Sequence, residues 1–189
     1  MPHKNAQLRI IGGQWRGRKL GFADEPGVRP TADRVRETLF NWLMLDIEGA
    51  RCLDLFAGSG ALGLEALSRD AREVVFVDSN QKVVNTIKAQ LKILAADNAQ
   101  VIHNSAERYL QTQNSNPFDI IFLDPPFHKE FLLPIIGQLV KGRWLKADTL
   151  IYIEAEKELG APELPAGWVY HKSKTAGQVS FYLVKKDDE

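Results

Sequence analysis

From residue 50 onward the chain alternates short, nearly continuous apolar runs with longer segments whose apolar residues recur every three or four positions. The runs near 51–56, 73–78, 99–103, 118–124 and 149–155 are rich in Val, Ile, Leu and Phe, as expected of strands buried on both faces of a parallel sheet. The segments near 61–69, 80–95, 105–112 and 129–141 carry helical spacing and predict the crossover connections that parallel strands require. The pattern changes at the end. Trp168-Val169-Tyr170-His171 and Val179–Val184 predict strands joined only by Lys172–Gln178, an antiparallel hairpin closing one side of the sheet. The charged tail Lys185–Glu189 is expected to fray.

The front of the chain follows another pattern. Leu8-Arg9-Ile10-Ile11 and Trp15–Leu20 flank Gly12-Gly13, which predicts a small hairpin with a tight turn. Arg16 and Arg18 would share one face of its second strand, with Trp15 on the other. Gly21 to Pro30 reads as loop. Thr31 is a good N-cap for a helix whose apolar stripe is Val35, Leu39, Phe40 and Leu43, with Arg34 and Glu37 on or beside the opposite face. That helix is expected to cover one edge of the sheet.

Composition narrows the class. With 189 residues, 44% hydrophobic and 25% charged, the chain suits a single soluble domain over 1–189. No apolar run approaches the roughly 18 residues of a membrane span, and Met1–Gln7 has no apolar signal core. Cys52 is the only cysteine, which makes a reducing, cytoplasmic compartment the expectation. Net charge is zero but unevenly spread: residues 1–36 carry +5 and the remainder −5. A polyanion partner for the N-terminal part and a merely solvated basic face both fit that asymmetry.

The first predicted strand leads into Asp54-Leu55-Phe56-Ala57-Gly58-Ser59-Gly60-Ala61-Leu62-Gly63. Gly58, Gly60 and Gly63 satisfy G-x-G-x-x-G, a loop that lets an adenosine-type ligand approach the backbone. The second strand ends in Asp78, eighteen residues after Gly60, where a carboxylate can accept from both ribose hydroxyls. Asp54 separates the cofactor candidates. A negative charge beside the loop opposes a pyrophosphate and suits the amino and sulfonium groups of S-adenosyl-L-methionine. Asp54 could instead only accept from loop amides. Ser105 and Ala106, where the third strand meets its helix, could reach the adenine, and Ser105 or Asn104 could equally cap that helix. Four scattered histidines (His3, His103, His128, His171) and one cysteine give no metal-ligand spacing, so no metal is expected.

The fourth strand, Phe118–Leu123, ends in Asp124-Pro125-Pro126-Phe127. Open α/β sheets bind ligands at this edge. An exocyclic base amine is a poor nucleophile because its lone pair is delocalised into the ring. The Asp124 carboxylate and the Pro125 carbonyl can accept from its two N–H bonds and aim the lone pair. The paired prolines stiffen the loop, and Phe127 offers a face on which an extruded base can stack. With a reference pKa of about 3.9, Asp124 is read as an orienting acceptor rather than a strong base. Glu154 and Glu156, on one face of the fifth strand, are read as solvated or edge charges.

This tetrapeptide together with Asp54–Gly60 resembles class I S-adenosylmethionine-dependent methyltransferases that act on exocyclic amines. Arg9–Arg18, Arg29–Glu37, Asp54–Gly63 and Ala176-Gly177-Gln178-Val179 together resemble the bacterial 16S rRNA guanine-N2 methyltransferase family, RsmD. The resemblance implies a Rossmann-like, mostly parallel sheet with an antiparallel C-terminal hairpin and a small N-terminal β-hairpin extension. It implies methylation of one guanine in 16S rRNA within the assembled small subunit. Residues 1–36 would then be the RNA-facing arm, through Lys4, Arg9, Arg16, Arg18, Lys19, Arg29, Arg34 and Arg36, and 37–189 the cofactor-binding and catalytic core. No membrane is implied, and a monomer is the simpler expectation. Three other activities share parts of the pattern: adenine-N6 methylation of RNA or DNA, NAD(P)-dependent oxidoreduction, and protein-glutamine methylation. The oxidoreductase leaves Asp124–Phe127 without a role, and the glutamine enzymes typically show Asn where Asp124 stands. A non-catalytic RNA-binding subunit would be expected to have lost Asp124 or the glycines.

Overall fold

The computed structural model describes residues 7–23, 25–26, 31–112, 116–125 and 132–187. Lys4, Arg29, Pro126, Phe127 and His128 lie outside the described residues. Nine strands and five helices follow one another along the described chain. They are β1 (Gln7–Arg9), β2 (Lys19–Gly21), α1 (Asp33–Trp42), β3 (Arg51–Asp54), α2 (Ala61–Ser68), β4 (Glu73–Asp78), α3 (Gln81–Leu94), β5 (Ala99–His103), α4 (Ala106–Leu110), β6 (Phe118–Leu123), α5 (Leu132–Lys141), β7 (Leu145–Glu156), β8 (Trp168–Ala176) and β9 (Val179–Lys186).

Seven strands form one sheet in the order β5-β4-β3-β6-β7-β9-β8. The pairs β5–β4, β4–β3, β3–β6 and β6–β7 are parallel, while β9 runs antiparallel to both β7 and β8. The chain order reverses between β3 and β6, the switch point where sheets of this type open a crevice. The terminal hairpin is longer than its apolar runs suggest. β8 continues through Lys172–Thr175 to Ala176, which pairs with Val179 across the turn at Gly177-Gln178. Polar residues on an edge strand carry no apolar periodicity, so that stretch reads as loop.

The sheet separates two apolar layers. Leu39, Phe40, Cys52, Phe122, Tyr152 and Phe181 belong to one, and Leu53, Val75, Ile121, Ile153 and Trp144 to the other. Alternation along each strand produces the division. α1 packs Val35, Leu39 and Phe40 into the first layer. Its predicted start needs correction: Ala32 is the N-cap, without a side-chain cap bond, and the Thr31 side chain is engaged elsewhere.

The N-terminal hairpin exists, but its turn is not Gly12-Gly13. β1 and β2 pair Gln7–Arg9 with Lys19–Gly21, and the Ile10 and Gly17 amides donate to the Arg18 and Ile10 carbonyls across the loop between them. Arg16 and Arg18 therefore lie in that loop rather than alternating on a strand. Gly12 and Gly13 lie where the loop meets the end of α2. The Ile11 and Gly12 amides donate to the Glu65 carboxylate at 2.9 and 2.8 Å. Gly13 has φ of +72°, and a Cβ there would fall 1.6 Å from the Ser68 carbonyl oxygen. Both glycines serve docking, not chain reversal. Among the described residues no helix is long and apolar enough to cross a membrane.

Candidate active site

Three carboxylates stand in a row: Asp54 at the end of β3, Asp124 just past β6, and Glu154 two residues before the end of β7. The registers pair Asp54 with Phe122 and Phe122 with Tyr152, so Asp124 and Glu154 follow two residues further on the same face. All three line one cleft of about 1220 Å³ beside the start of α1, bounded on its far side by the β8–β9 turn. Burial is deep at two of them: Asp54 is 2% and Glu154 6% exposed. Among the described residues no group of three acidic, histidine or cysteine side chains is placed to hold a metal ion.

The glycine loop divides its labour. Gly58 (φ +51°) and Gly60 (φ +79°) take the left-handed conformation that turns the chain from β3 into α2. Phe56, Ala57, Gly58 and Ser59 line the cleft, whereas Gly60 and Gly63 do not. A Cβ at Gly63 would lie 2.2 Å from the Phe76 ring, so this glycine lets α2 pack closely on β4. Asp78 accepts from the Gly58 amide at 2.9 Å through one oxygen and from the Asn80 amide at 2.8 Å through the other. A carboxylate oxygen has two acceptor sites, so capacity for two hydroxyls remains. Ser105 and Ala106 both line the cleft, and Ser105 also caps α4, its Oγ accepting from the Arg108 amide.

Asp54 accepts from the Gly63 amide at 3.0 Å. Burial pushes its carboxyl up to about 7; the Gly63 bond opposes the rise and the charge of Asp78 adds to it. A carboxylate in such surroundings gains from a cation brought into the cleft. Asp124 is raised well above the ordinary carboxylate range, first by burial and then by the charges of Glu154 and Asp54. The Thr31 hydroxyl donates to Asp124 Oδ2 at 3.3 Å and works the other way. Thr31 is thus no helix cap but a donor to the Asp124 carboxylate in the cleft. Pro125 is buried and lines the cleft beside it.

Glu154 corrects a second expectation. It is neither solvated nor an edge charge: β7 is flanked by β6 and β9, and the Tyr152 hydroxyl donates to Glu154 Oε2 at 2.8 Å. The signal was present in the sequence. Asp54, Asp78 and Asp124 stand at or just past the carboxyl end of a strand, and Glu154 directly follows the apolar run Leu150–Ile153, two residues before β7 ends.

The basic set splits. Arg9, Arg16, Arg18, Lys19 and Arg34 are exposed, and Arg34 lines the cleft. Arg36 is only 1% exposed and does not belong among residues facing a nucleic acid. Its guanidinium donates to Asp33 (2.6 Å), Glu65 (3.4 Å) and the Arg9 and Thr31 carbonyls. It ties the hairpin, α2 and the residue that contacts Asp124 into one network. Lys174, on β8 at the opposite rim of the cleft, is an exposed cation that charge counting at the N-terminus could not find.

Comparison with known proteins places this arrangement. The profile of the family described as conserved hypothetical protein 95 matches residues 8–185. The chain is 49% identical over 183 residues to the ribosomal RNA small subunit methyltransferase D of Escherichia coli K12, covering 97% of this chain and 92% of that protein. It is 47% identical to the protein of the same name from Haemophilus influenzae, over 96% of this chain and 95% of that one. A solved structure described as the putative methyltransferase yhhF from Escherichia coli superposes with a TM-score of 0.90 at 47% identity, covering 97% of this chain and all of that one. The chain belongs to the conserved hypothetical protein 95 family, the family of ribosomal RNA small subunit methyltransferase D.

Proposed function

We propose that the chain transfers a methyl group from S-adenosyl-L-methionine to the exocyclic N2 amine of one guanine in 16S rRNA, within the assembled small subunit. The observation that carries this reading is the placement of two carboxylates, buried Asp54 and half-buried Asp124, at adjacent strand ends of one cleft, both raised by loss of water. One fits a cationic cofactor and the other an amine. Relatives named for small-subunit RNA supply the substrate class.

The residues fit this cofactor better than a dinucleotide. Asp54, buried and pushed up to about 7, would meet a cation favourably and a pyrophosphate unfavourably. Asp78 would take the ribose hydroxyls, with Ser105 and Ala106 against the adenine and Phe56–Ser59 along the adenosine. S-adenosylmethionine supplies an electrophilic methyl on a sulfonium. Asp124 would accept one N–H of the base amine and the Pro125 carbonyl the other, orienting the nitrogen lone pair toward the methyl group, and the proton that the nitrogen sheds on transfer would pass to Asp124, late or through water. Thr31 favours the ionised form of Asp124 and fixes one of its oxygens. Pro126 and Phe127 complete the tetrapeptide, the ring as a stacking face. Arg9, Arg16, Arg18, Lys19, Arg29 and Arg34 meet the RNA backbone, and Arg36 holds that surface in place from within.

Asp124→Ala tests the mechanism. Methyl transfer to small subunits should vanish while S-adenosylmethionine affinity by calorimetry stays within a few-fold. Turnover near the wild-type rate would remove Asp124 from the mechanism.

A further inference from the structure

Methylating an amine needs acceptors for its own N–H bonds, and Asp124 with Pro125 supplies them. Glu154 is a further buried carboxylate in the same cleft. It lies one residue beyond the last paired position, Leu123 with Ile153, as Asp124 does on the adjacent parallel strand, where neighbouring backbones run about 4.8 Å apart. The two are close enough that the charge of Glu154 is one cause of the raised Asp124 carboxyl. The fully buried Tyr152, on the same face of the same strand, holds one Glu154 oxygen by its hydroxyl at 2.8 Å. Two carboxylates set together in such surroundings repel each other, and donors brought to both by a ligand relieve the repulsion.

A guanine brings them. Its N2 amine and its N1–H lie side by side on one edge, a row of donors matching a row of acceptors. Adenine offers its amine beside an unprotonated ring nitrogen, whose lone pair would face a carboxylate. We propose that Glu154, oriented by Tyr152, is a specificity-determining residue that accepts the N1–H of the target guanine while Asp124 accepts from the N2 amine, and that it turns adenine away. The inference rests on the guanine-N2 reading above and adds the residue that selects the base. Sites built around a substrate donor reject analogues lacking it strongly, because a buried polar group is then left unpaired.

2-Aminopurine separates the two roles, since it keeps the methyl-accepting amine and lacks the N1–H. Small subunits are reconstituted on 16S rRNA carrying guanine or 2-aminopurine at the mapped target, and kcat/KM is measured for both. For the wild-type protein, guanine should be favoured by at least about tenfold, the value of one hydrogen bond to a charged group. For Glu154→Gln, whose amide can donate to the unprotonated nitrogen, the preference should shrink to about threefold or less. Tyr152→Phe, which removes only the hydroxyl, should give an intermediate preference, and S-adenosylmethionine binding reports that each variant is folded. A wild-type protein that uses both bases equally, or a preference unchanged in both variants, overturns the assignment of Glu154. Methyl transfer that never reaches guanine N2 in wild-type assays overturns the underlying reading instead.

Discussion

Replacing Asp54 by asparagine should abolish a pH dependence that the wild-type protein shows in binding S-adenosylmethionine. In the free protein, burial raises the Asp54 carboxyl to about 7, while the cationic ligand requires the carboxylate. Binding must therefore expel a proton whenever the pH lies below that value. The observed affinity is reduced by the factor 1 + 10^(pKa − pH), about 30 at pH 5.5 and about 2 at pH 7, so binding should tighten about 15-fold over that interval. The ligand's own amino group, with a reference value of about 7.7–8.0, stays largely protonated throughout and changes the ratio little. Calorimetry in two buffers of different ionisation enthalpy should show close to one proton released at pH 5.5 and about half a proton at pH 7. Asp54→Asn keeps an acceptor for the Gly63 amide, so the loop is retained. It should bind more weakly at pH 7, with neither slope nor proton release. Equal slopes in the two proteins, or a flat wild-type profile, would refute the assignment of Asp54 to the cation.

Two further outcomes follow from the N-terminal network. Glu65 is 1% exposed and receives Arg36, Arg69 and the Ile11 and Gly12 amides. Glu65→Ala leaves the Arg36 guanidinium buried with Asp33 as its remaining carboxylate partner, and should cost about 3 kcal/mol in urea unfolding, the lower end for a broken buried pair; a loss below about 1 kcal/mol would show that the network does not hold the hairpin. Arg16→Ala with Arg18→Ala should weaken binding to small-subunit RNA and make log K less steep against log salt by about 1–2, whereas an unchanged slope would move the RNA surface elsewhere.

The sheet and its glycine loop were legible because their signals are local. Continuous apolar runs mark buried parallel strands, and glycines between a strand and a helix mark a ligand loop. Asp54, Asp78 and Asp124 could be placed at strand ends from spacing alone, and the structure brings Asp54 and Asp124 together because β3 and β6 are neighbours. What stayed hidden depends on contacts distant in sequence. Arg36 looks like an RNA ligand in a basic stretch. Its burial follows from Glu65, 29 residues away in a helix whose sequence advertises only the glycine motif. Thr31 reads as a cap because Thr before a helix usually is one, and nothing local reveals a carboxylate 93 residues further on. Gly12-Gly13 mimics a hairpin turn, since a glycine such as Gly13, required by close packing on the end of α2, looks the same in sequence as one required by a reversal. Glu154 reads as an edge charge because nothing local shows that β9 pairs along β7 as far as Glu156 and encloses it.

The most direct test of the central claim is to give the protein labelled S-adenosylmethionine with unmodified small subunits, free 16S rRNA and DNA in parallel, and to identify the labelled nucleoside by mass mapping. The account predicts N2-methylguanosine at one position of 16S rRNA, formed fastest in the assembled subunit. Label in N6-methyladenine, in DNA, or in no nucleic acid at all would contradict it.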